Sequence, residues 1–593
     1  MNLRHYRLKE VLITFLKKLH KMTSNHTTFF RKEISAQMLD FEQTLYSSAI
    51  ELLNSGEILP CKYHNLFNGS FIVETSRRFL PRKGEHYQIF ILDKKHYNPT
   101  SWNENGFNYY DLLKRSKLSS GKCVWIEKSQ SESKIKCGFS QVEINFNKVL
   151  NDDDLIFLGP KSPPTDYLNN LLNYSKSTRA EECHLLDLTQ NTLWNPDLIS
   201  DSNLRPDFFI NQLEIEDTLL IQGPPGTGKT TLIGGIVTEL LKRDKSILVT
   251  SMTNNALMEV AKQKSLNEFL SEHKILKSNL STDEENDLNN LEILDELRPM
   301  KGHLHLSTFF NTSKFINALS GSYDYLIIDE ASQAFLTTFS AFKNLATKNL
   351  WVGDHMQLAP IALLNEDKIR SFGALPIVNG FATICENYQF PGFMLEKTRR
   401  FGERGADYTS IFYEGKLKSA FKHNFKDSMI PKQTNILGGP LALSTNLSMS
   451  DKTPLNGFNK VKETILSISD KIKHKDILVV TPFKKTVKSL KKFLLQNNID
   501  TDVETVDRIQ GRTVVVTIFL LCNVSYFFSL DLKRFNVATS RAILNTFIIF
   551  DPTIYSELDD YPLIQVYFNK MKNENSKLID LKPEIKNEQI NSF

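Results

Sequence analysis

Residues 223–230 limit most strongly how this chain can fold. They read Gly-Pro-Pro-Gly-Thr-Gly-Lys-Thr and fit the phosphate-loop pattern G-x-x-x-x-G-K-[ST]. An apolar strand pattern precedes them at residues 219–221, and apolar residues at helical spacing follow them. Glycines let backbone N–H groups turn toward a polyphosphate, and the N-terminus of the following helix adds partial positive charge. The sequence therefore predicts a strand, a phosphate-binding loop and a helix.

Two side chains of this loop indicate nucleotide chemistry. We expect Lys229 to reach the outer phosphates as a point charge and the Thr230 hydroxyl to bind a magnesium ion. The alternative is a glycine-rich turn that binds nothing, and the complete octet with both flanking elements disfavours it. The predicted nucleotide-binding residues are Gly223, Pro224, Pro225, Gly226, Thr227, Gly228, Lys229, Thr230 and Thr231.

Length, charge and cysteine usage exclude several protein classes. The chain has 593 residues, too many for one hydrophobic core, so several domains are expected. Its formal net charge is only +4, so any nucleic-acid contact must come from local grooves rather than from bulk charge. The six cysteines form no C-x-x-C pair, which argues against a zinc ribbon, a four-cysteine iron–sulfur site and a disulfide framework. A reducing compartment follows.

The N-terminal stretch is basic and amphipathic, but its longest apolar run, residues 11–16, is too short for a signal-peptide core or a membrane span. We therefore expect an intracellular protein, cytoplasmic or nuclear, that is not secreted and does not associate with a membrane. A transit peptide is the open alternative, and Glu10 counts mildly against it.

Pattern changes along the chain divide it into five regions. Residues 1–60 are predicted to be helical, and residues 61–165 to form a small β-rich accessory domain, a barrel or antiparallel sheet whose strands include alternating positions at 142–146. Residues 166–370 predict a first strand–helix domain with a charged, helical insertion at 262–300, and residues 371–560 a second. The polar tail, residues 561–593, is predicted to be disordered.

An apolar strand at 325–328 ends in two acids, Asp329 and Glu330. On the same parallel sheet as a phosphate loop, the first acid can hold the magnesium ion and the second can polarise the attacking water. We therefore expect Asp329 to be a metal ligand and Glu330 the general base.

Two further strand ends carry polar groups. The strand at 349–352 leads to Gln357, an amide that can sense the terminal phosphate, while the neighbouring His355 is expected to be structural. The strand at 247–249 leads to Thr253 and Asn254, which can contact phosphates or cap the next helix, and the two roles are compatible.

Six ordered stretches then carry a resemblance to superfamily 1 helicases, specifically the 5′-to-3′ branch with the up-frameshift and senataxin-like enzymes. Residues 223–230 look like motif I, Asp-Glu-Ala-Ser-Gln at 329–333 like motif II, and Gly-Asp-His-Met-Gln-Leu-Ala-Pro at 353–360 like motif III. Residues 395–400 with 411–417 are similar to the motif IV region, 505–511 to motif V and 536–542 to motif VI. The resemblance covers roughly residues 219–551.

The resemblance implies two tandem RecA-like domains that bind ATP and Mg²⁺ between them. It implies that Arg400 and Arg541 come from the second domain to neutralise the terminal phosphates. The implied contacts to single-stranded DNA or RNA are Thr253, Asn254, Ser307, Thr308, Thr481, Pro482 and Thr505. The chain departs from the branch at Thr398-Arg399, where Gln-Tyr is common, at Thr513, where an acid is common, and in the glutamine that usually precedes motif I, for which Gln190 and Gln212 are imperfect candidates.

Residues and resemblance together predict a monomeric, ATP-dependent helicase or translocase that moves 5′ to 3′ on single strands. The fold class is α/β, with two parallel-sheet RecA-like domains and an N-terminal helical and barrel-like accessory region. The alternative from another class is an ATP-switched nucleic-acid clamp or scaffold without unwinding activity. An intact set of phosphate-handling groups has no packing purpose, which disfavours a purely structural protein.

Overall fold

The structure is a computed structural model. It describes residues 25–40, 48–55, 58–67, 70–76, 82–83, 86–93, 102, 106–128, 134–140, 142, 154–159, 165–181, 185, 194–200, 204–294, 296–317, 323–387, 390–421, 438–447, 452–470, 472–522 and 526–580. The amphipathic stretch at residues 1–24, the predicted strand positions 144–146, Gln190 and the last residues, 581–593, lie outside the described residues.

The first helix, α1 (residues 25–40), packs on the first α/β domain rather than forming a separate unit. Phe29 and Phe30 are fully buried in that domain's core. The buried Glu33 carboxylate accepts the backbone N–H groups of Leu363 and Leu364 at 2.9 and 3.1 Å. Since a buried carboxylate needs such donors, these bonds fix the helix in place.

The accessory domain is a closed antiparallel barrel, which confirms the β-rich prediction. Its elements are α2 (Ala49–Ser55), β1 (Leu59–Phe67), β2 (Ser70–Ser76), β3 (Arg82–Lys83), β4 (His86–Asp93), α3 (Tyr109–Arg115), β5 (Lys117–Lys128), β6 (Lys134–Ser140) and β7 (Asp154–Gly159). The strand order is β1-β2-β6-β5-β4-β7, and side chains that alternate along the strands, such as Phe71 and Val73, fill the interior.

Helices and parallel strands then build the first RecA-like domain. The helices are α4 (Asp166–Tyr174), α5 (Thr178–Glu181), α6 (Pro206–Ile215), α7 (Lys229–Lys242), α8 (Asn254–Ala261), α9 (Asn267–Ser271), α10 (Thr282–Asp287), α11 (Phe309–Thr312), α12 (Leu336–Lys343), α13 (Glu366–Ser371), α14 (Leu375–Val378) and α15 (Gly380–Asn387). The strands are β8 (Asp197–Ile199), β9 (Thr218–Gln222), β10 (Ile247–Ser251), β11 (Ile275–Lys277), β12 (Leu280–Ser281), β13 (Glu292–Ile293), β14 (Leu304–Thr308), β15 (Tyr323–Ile328), β16 (Ala346–Gly353) and β17 (Gly392–Leu395).

All of these strands except β12 form a nine-stranded parallel sheet in the order β13-β11-β14-β10-β15-β16-β9-β17-β8. Both faces are covered, because Leu326 and Ile328 of β15 join one apolar core and Tyr325 and Ile327 join the other. Burial on both faces explains why the central strands read as continuous apolar runs.

The structure differs from the sequence-based expectation in the content of the insertion and in the end of the first domain. The insertion at 262–300 is not simply helical, because β11 and β13 extend the main sheet and β12 pairs with β3 of the accessory region. The first domain does not stop at residue 370, because β17 pairs with β9 and β8. Short strands between polar residues carry too little apolar pattern to be recognised as sheet members.

The second RecA-like domain has a five-stranded parallel sheet. Its elements are β18 (Lys397–Thr398), α16 (Glu403–Thr409), β19 (Lys418–Ser419), β20 (Gly439–Ser444), α17 (Leu455–Ile468), β21 (Ile477–Thr481), α18 (Lys484–Gln496), β22 (Asp502–Thr505), β23 (Val514–Leu520), α19 (Tyr526–Ser529), α20 (Leu532–Thr539), β24 (Ala542–Phe550) and α21 (Pro562–Asp580). The sheet order is β20-β24-β23-β21-β22.

The helix α21 corrects the prediction of disorder at 561–593 for residues 562–580. It packs on the second domain through Ile564, Tyr567, Phe568 and Met571, which are at most 1% exposed. These four residues follow helical spacing and form one apolar stripe. The polar composition of the remaining positions masks this stripe in the sequence. Within the described ranges, no helix combines the length and the apolar character that crossing a bilayer requires.

Candidate active site

The phosphate loop joins β9 to α7, as predicted, and its geometry requires glycine. Gly226 and Gly228 have φ values of +75° and +89°, in the left-handed region that other residues rarely adopt. At Gly223, a Cβ would lie 2.2 Å from the Lys229 Cγ atom. Each of these three glycines is therefore required by backbone conformation or by close packing.

The Lys229 ammonium is wrapped by the loop, with its Nζ donating to the Gly223 carbonyl at 2.6 Å. The Thr227 hydroxyl donates to the Pro224 carbonyl at 2.8 Å and tightens the same turn. Thr230 is half-buried in the first turn of α7, while Thr231 is exposed. The structure thus brings the predicted nucleotide-binding residues into one loop around one ammonium group.

The two predicted acids lie beside this loop. Asp329 is buried at the end of β15, and the Glu330 backbone N–H donates to Asp329 Oδ1 at 2.8 Å. Glu330 itself has a φ of +50°, an uncommon conformation for a residue with a side chain, and such strain is typical of functional sites. Burial and the Glu330 charge raise the pKa of Asp329 to about 7, and Lys229 partly offsets them. The pair of acids would be stabilised by a further cation.

Arg400 lies against the same loop and contacts the residue next to Arg541. Arg400 Nη1 donates to the Ser540 carbonyl at 2.7 Å, and a Cβ on Gly226 would lie 2.4 Å from the Arg400 Cβ. Arg541 is fully buried, and its Nε donates to the Val537 carbonyl at 2.9 Å. Burial and the Arg541 charge lower the pKa of Arg400 to about 9, while nearby Glu330 opposes both effects. The second domain therefore presents two cations to the acids and loop of the first.

The chain just after β17 covers the phosphate loop. Thr398 Oγ1 donates to the Pro225 carbonyl at 2.8 Å, and the Arg399 backbone N–H donates to the Gly226 carbonyl at 2.8 Å. Arg399 Nη1 also approaches the Thr227 carbonyl at 3.4 Å. The two residues that depart from the family pattern thus bind directly to the loop.

Gln357 belongs to a buried network that joins the two domains. Its Nε2 donates to Asp354 Oδ2 at 2.8 Å, and the Tyr413 hydroxyl donates to the same oxygen at 2.6 Å. Asn536 Nδ2 donates to the Tyr413 hydroxyl at 3.0 Å and to the Met356 carbonyl at 2.9 Å. Sequence reasoning missed Asp354, Tyr413 and Asn536, although all three lie in motif-like stretches and could have been found there.

A fourth missed residue is Gln510, which belongs to the second domain. Its Nε2 donates to Glu330 Oε2 at 3.2 Å and lies 3.5 Å from the Ser332 hydroxyl. The proposed base therefore has an amide partner across the interface. The only sequence signal for it was its place in the stretch similar to motif V.

The predicted strand-contact residues form one pair of strand ends in each domain. In the first domain, the ends of β10 and β14 are adjacent, with Thr253 exposed and Asn254 half-buried. Ser307 and Thr308 are buried, and Thr308 caps α11 through Asn311 N–H.

In the second domain, Thr481 pairs with Thr505 at the ends of β21 and β22, and both are buried, as is Pro482. The Thr481 hydroxyl lies 3.7 Å from the Cys522 sulfur. The seven residues lie at the carboxyl edges of the two parallel sheets, four in the first domain and three in the second, and their contact with nucleic acid stays a prediction.

Comparisons with known proteins find sequence matches in both parallel-sheet domains. The AAA domain families match residues 210–363 and 381–553. The DNA replication ATP-dependent helicase/nuclease DNA2 of Saccharomyces cerevisiae is 24% identical over 409 residues, which cover 61% of this chain and 26% of that protein. The uncharacterized ATP-dependent helicase MJ0104 of Methanocaldococcus jannaschii is 26% identical over 271 residues, which cover 41% of this chain and 40% of that protein. The chain belongs to the superfamily 1 helicases, in the up-frameshift-like group.

Two further matches cover larger shares of the other protein. The DNA polymerase alpha-associated DNA helicase A of Schizosaccharomyces pombe is 24% identical over 414 residues, which cover 57% of this chain and 62% of that protein. The solved Arterivirus nonstructural protein 10 helicase aligns over 83% of this chain and 76% of its own, at 13% identity and a TM-score of 0.35. The chain thus spans about a quarter to about three fifths of the length of the curated relatives named above.

Proposed function

We propose that this protein is an ATP-dependent motor that hydrolyses ATP between its two RecA-like domains and moves 5′ to 3′ along single-stranded nucleic acid. The observation that carries the proposal is the position of Arg400, which lies against Gly226 of the phosphate loop while its guanidinium group donates to the Ser540 carbonyl, next to Arg541. Cations supplied across a domain interface couple hydrolysis to domain closure, because they stabilise phosphate charge only when the domains meet.

Magnesium fits the oxygen donors of this site. Thr230 and Asp329 would hold the ion, which supplies charge neutralisation at the phosphates when bound. Among the described residues no cluster of three or more His, Cys, Asp or Glu side chains could hold a metal by itself. A site with few protein oxygens suits Mg²⁺, which keeps several waters and binds substrate phosphates. Asp329 is buried at the end of β15, where a bound cation would favour its charged form.

The protein's own residues have separate roles in hydrolysis. Lys229 holds the outer phosphates, and Gln357 senses the terminal one. Glu330 accepts the proton of the attacking water at a carboxylate oxygen, and Gln510 orients that carboxylate through its 3.2 Å hydrogen bond. Arg400 and Arg541 offset the charge that develops on the transferred phosphoryl group.

The strand lies along the carboxyl edges of the two sheets, over the seven residues named above. Hydroxyl, amide and backbone groups recognise phosphate and sugar, so binding is independent of sequence. We propose DNA as the strand, since the names of the DNA2 relatives and of the helicase A relative refer to DNA. We also propose a monomeric motor that works inside the cell.

The test measures ATP turnover with and without matched DNA and RNA oligonucleotides, followed by displacement of a duplex with a 5′ or a 3′ overhang. The proposal expects stimulation by single-stranded DNA and displacement only from the 5′ overhang. Stimulation without displacement would instead support the ATP-switched clamp. Absence of stimulation by either strand would overturn the proposal.

A further inference from the structure

The insertion of the first domain contains a fully buried lysine. Lys277 ends β11, and its side chain is 0% exposed. Its ammonium donates to Asn254 Oδ1 at 2.7 Å, to the Asn279 carbonyl at 2.5 Å and to Asn279 Oδ1 at 3.2 Å. It also pairs with the Glu284 carboxylate at 3.4 Å. Lysine is almost never fully buried unless paired, so this position requires an explanation beyond packing.

The lysine fixes which way the Asn254 amide faces. An ammonium group has only donors, so the oxygen of Asn254 must face Lys277. The Nδ2 group must then face away from Lys277, where it can donate a hydrogen bond. Asn254 is half-buried in the first turn of α8, at the carboxyl edge of β10. This edge is where the proposed function places the strand, and phosphate oxygens accept hydrogen bonds from such a donor.

The residue after Lys277 holds the neighbouring strand end. Ser278 Oγ accepts from Asn311 Nδ2 at 3.1 Å, and Asn311 lies in the turn that Thr308 caps. The Ser278 backbone N–H donates to the Leu306 carbonyl at 2.9 Å. Two consecutive residues of the insertion therefore hold the two strand-end loops of this domain.

The same segment is tied to the accessory region. Glu284, the partner of Lys277, also accepts the Ser281 backbone N–H at 2.8 Å. Ser281 belongs to β12, which pairs with β3 in the register Ser281 opposite Arg82. A continuous set of contacts thus runs from β3 through Glu284 and Lys277 to Asn254.

We propose that Lys277 is a positioning residue for the nucleic-acid strand, which presents the Asn254 Nδ2 group as a donor to a strand phosphate. The inference rests on the proposed function and adds to it a role for the insertion at 262–300. The insertion, through its contact with β3, then connects the accessory region to strand binding by the motor.

The test uses Lys277→Met/Glu284→Gln, which removes both charges together so that no unpaired charge is buried. The matched control is Lys262→Met in the same insertion, whose ion pair with Asp287 at 3.0 Å is exposed. Affinity is measured with a fluorescein-labelled oligothymidylate, together with the oligonucleotide concentration that half-maximally stimulates ATP turnover. Each variant's melting temperature is recorded.

We expect the double variant to bind the oligonucleotide about fivefold more weakly, the effect of one lost hydrogen bond. The half-stimulating concentration should rise by the same factor, with the turnover at saturating strand kept within about twofold. In an Asn254→Ala background the same substitutions should change the affinity by less than about twofold, because Lys277 acts on the strand through Asn254. The Lys262→Met control should keep the wild-type affinity.

Equal losses in both backgrounds, or an unchanged affinity at a wild-type melting temperature, would overturn the positioning role alone. If the double variant does not fold, Asn254→Asp tests the inference instead. This substitution keeps an oxygen that can accept from Lys277 and replaces the Nδ2 donor by a second carboxylate oxygen. It should bind more weakly than Asn254→Ala, and equal or tighter binding would overturn the inference. A wild-type protein that binds no strand would overturn the proposed function as well.

Discussion

The two RecA-like domains share a plan of parallel strands and helices but divide the chemistry unequally. In the first domain, β9 leads into a glycine loop with positive φ at Gly226 and Gly228. At the corresponding place in the second domain, β21 leads through Thr481 and Pro482 directly into α18, and positive-φ glycines do not occur there. The first domain can thus cradle phosphates, while the connection from β21 to α18 in the second domain has no such loop.

The difference is also one of charge. The first domain brings two acids and one ammonium to the interface, and the second brings two guanidinium groups. Burial lowers the pKa of both Arg400 and Arg541, and the Arg541 charge lowers that of Arg400 further. Two neighbouring buried cations are stabilised by an anion between them. Neither domain alone therefore carries the full set of charged groups, and under the proposed function a nucleotide completes both.

The largest expected effect comes from removing the second domain's contribution. Arg541→Ala should lower ATP turnover by about a thousandfold, because a guanidinium group that stabilises transferred-phosphoryl charge contributes that much or more. Arg541→Lys should recover little, since an ammonium does not reproduce the planar fork. The measurement is steady-state phosphate release with saturating single-stranded DNA.

The control for Arg541 is Arg512→Ala, which removes a half-exposed arginine of the same domain that pairs with Asp502 at 2.6 Å. Its turnover should stay within about twofold of wild type, since surface ion pairs contribute little. Turnover of Arg541→Ala close to that of this control would show that the second domain does not supply catalytic charge.

Removing the base from the first domain should have the next largest effect. Glu330→Gln should lower turnover by about a hundredfold or more, because an amide cannot accept the proton of the attacking water. Nucleotide binding should persist, since the loop and Lys229 are unchanged. Fluorescent ATP-analogue binding and phosphate release measure the two separately. Normal turnover would remove the base assignment, and loss of binding would mean that Glu330 supports the loop instead.

The features that the sequence predicted are those whose chemistry is local. The phosphate loop was predictable because its backbone requires glycine at fixed spacing, and Asp329 and Glu330 because they end an apolar strand. The two arginines followed from their place in motif-like stretches. Each of these signals lies within a few residues of chain.

The features that were missed depend on contacts between distant residues. Tyr413 reaches Asp354 across 59 residues, and Asn536 reaches Tyr413 across 123. The spacing of apolar residues along the sequence does not indicate which distant polar residues will be in contact. The polar sequence around Lys277 predicts an exposed lysine. Its burial depends on contacts with Asn254 and Glu284, which the sequence pattern does not indicate. The polar residues that surround the apolar stripe of α21 lead the sequence pattern to predict disorder where the structure has a helix.

Weakening the link between the domains should have a smaller effect than removing a reacting group. Tyr413→Phe deletes a hydroxyl that bonds to both Asp354 and Asn536 and leaves Asp354 with one donor fewer. We expect strand-stimulated turnover to fall about tenfold, the effect of one buried hydrogen bond to a charged group.

The matched control is Tyr555→Phe, a half-buried tyrosine of the same domain whose ring packs on Phe550 and Phe568. It should leave strand-stimulated turnover unchanged within about twofold. If Tyr413→Phe and Tyr555→Phe behave alike, the network at Asp354 stabilises the interface without affecting turnover.

The smallest expected effect is a loss of stability of the first domain at acidic pH, caused by a histidine of α1. His26 of α1 is buried against the first domain, where its Nδ1 lies 2.7 Å from the Thr337 hydroxyl, and burial lowers its pKa from 6.5 to about 3. Between pH 6.5 and pH 3 the unfolded chain binds a proton at His26 that the folded protein does not bind. The free energy of unfolding therefore has its full value above pH 6.5 and decreases as pH falls toward 3. At pH 5 the loss is about 2 kcal/mol, since one pKa unit corresponds to about 1.4 kcal/mol.

Such a loss lowers the melting temperature of a domain of this size by about 4–8 °C. His26→Gln keeps a side chain that can hydrogen-bond Thr337 but does not titrate, so its first-domain melting temperature should fall less between pH 7 and pH 5 than that of wild type. Calorimetry resolves the transitions, and nucleotide identifies the one that contains the phosphate loop. Equal acid sensitivity of wild type and variant would show that His26 accepts a proton in the folded state, and that α1 is held to the first domain mainly by Phe29, Phe30 and Glu33.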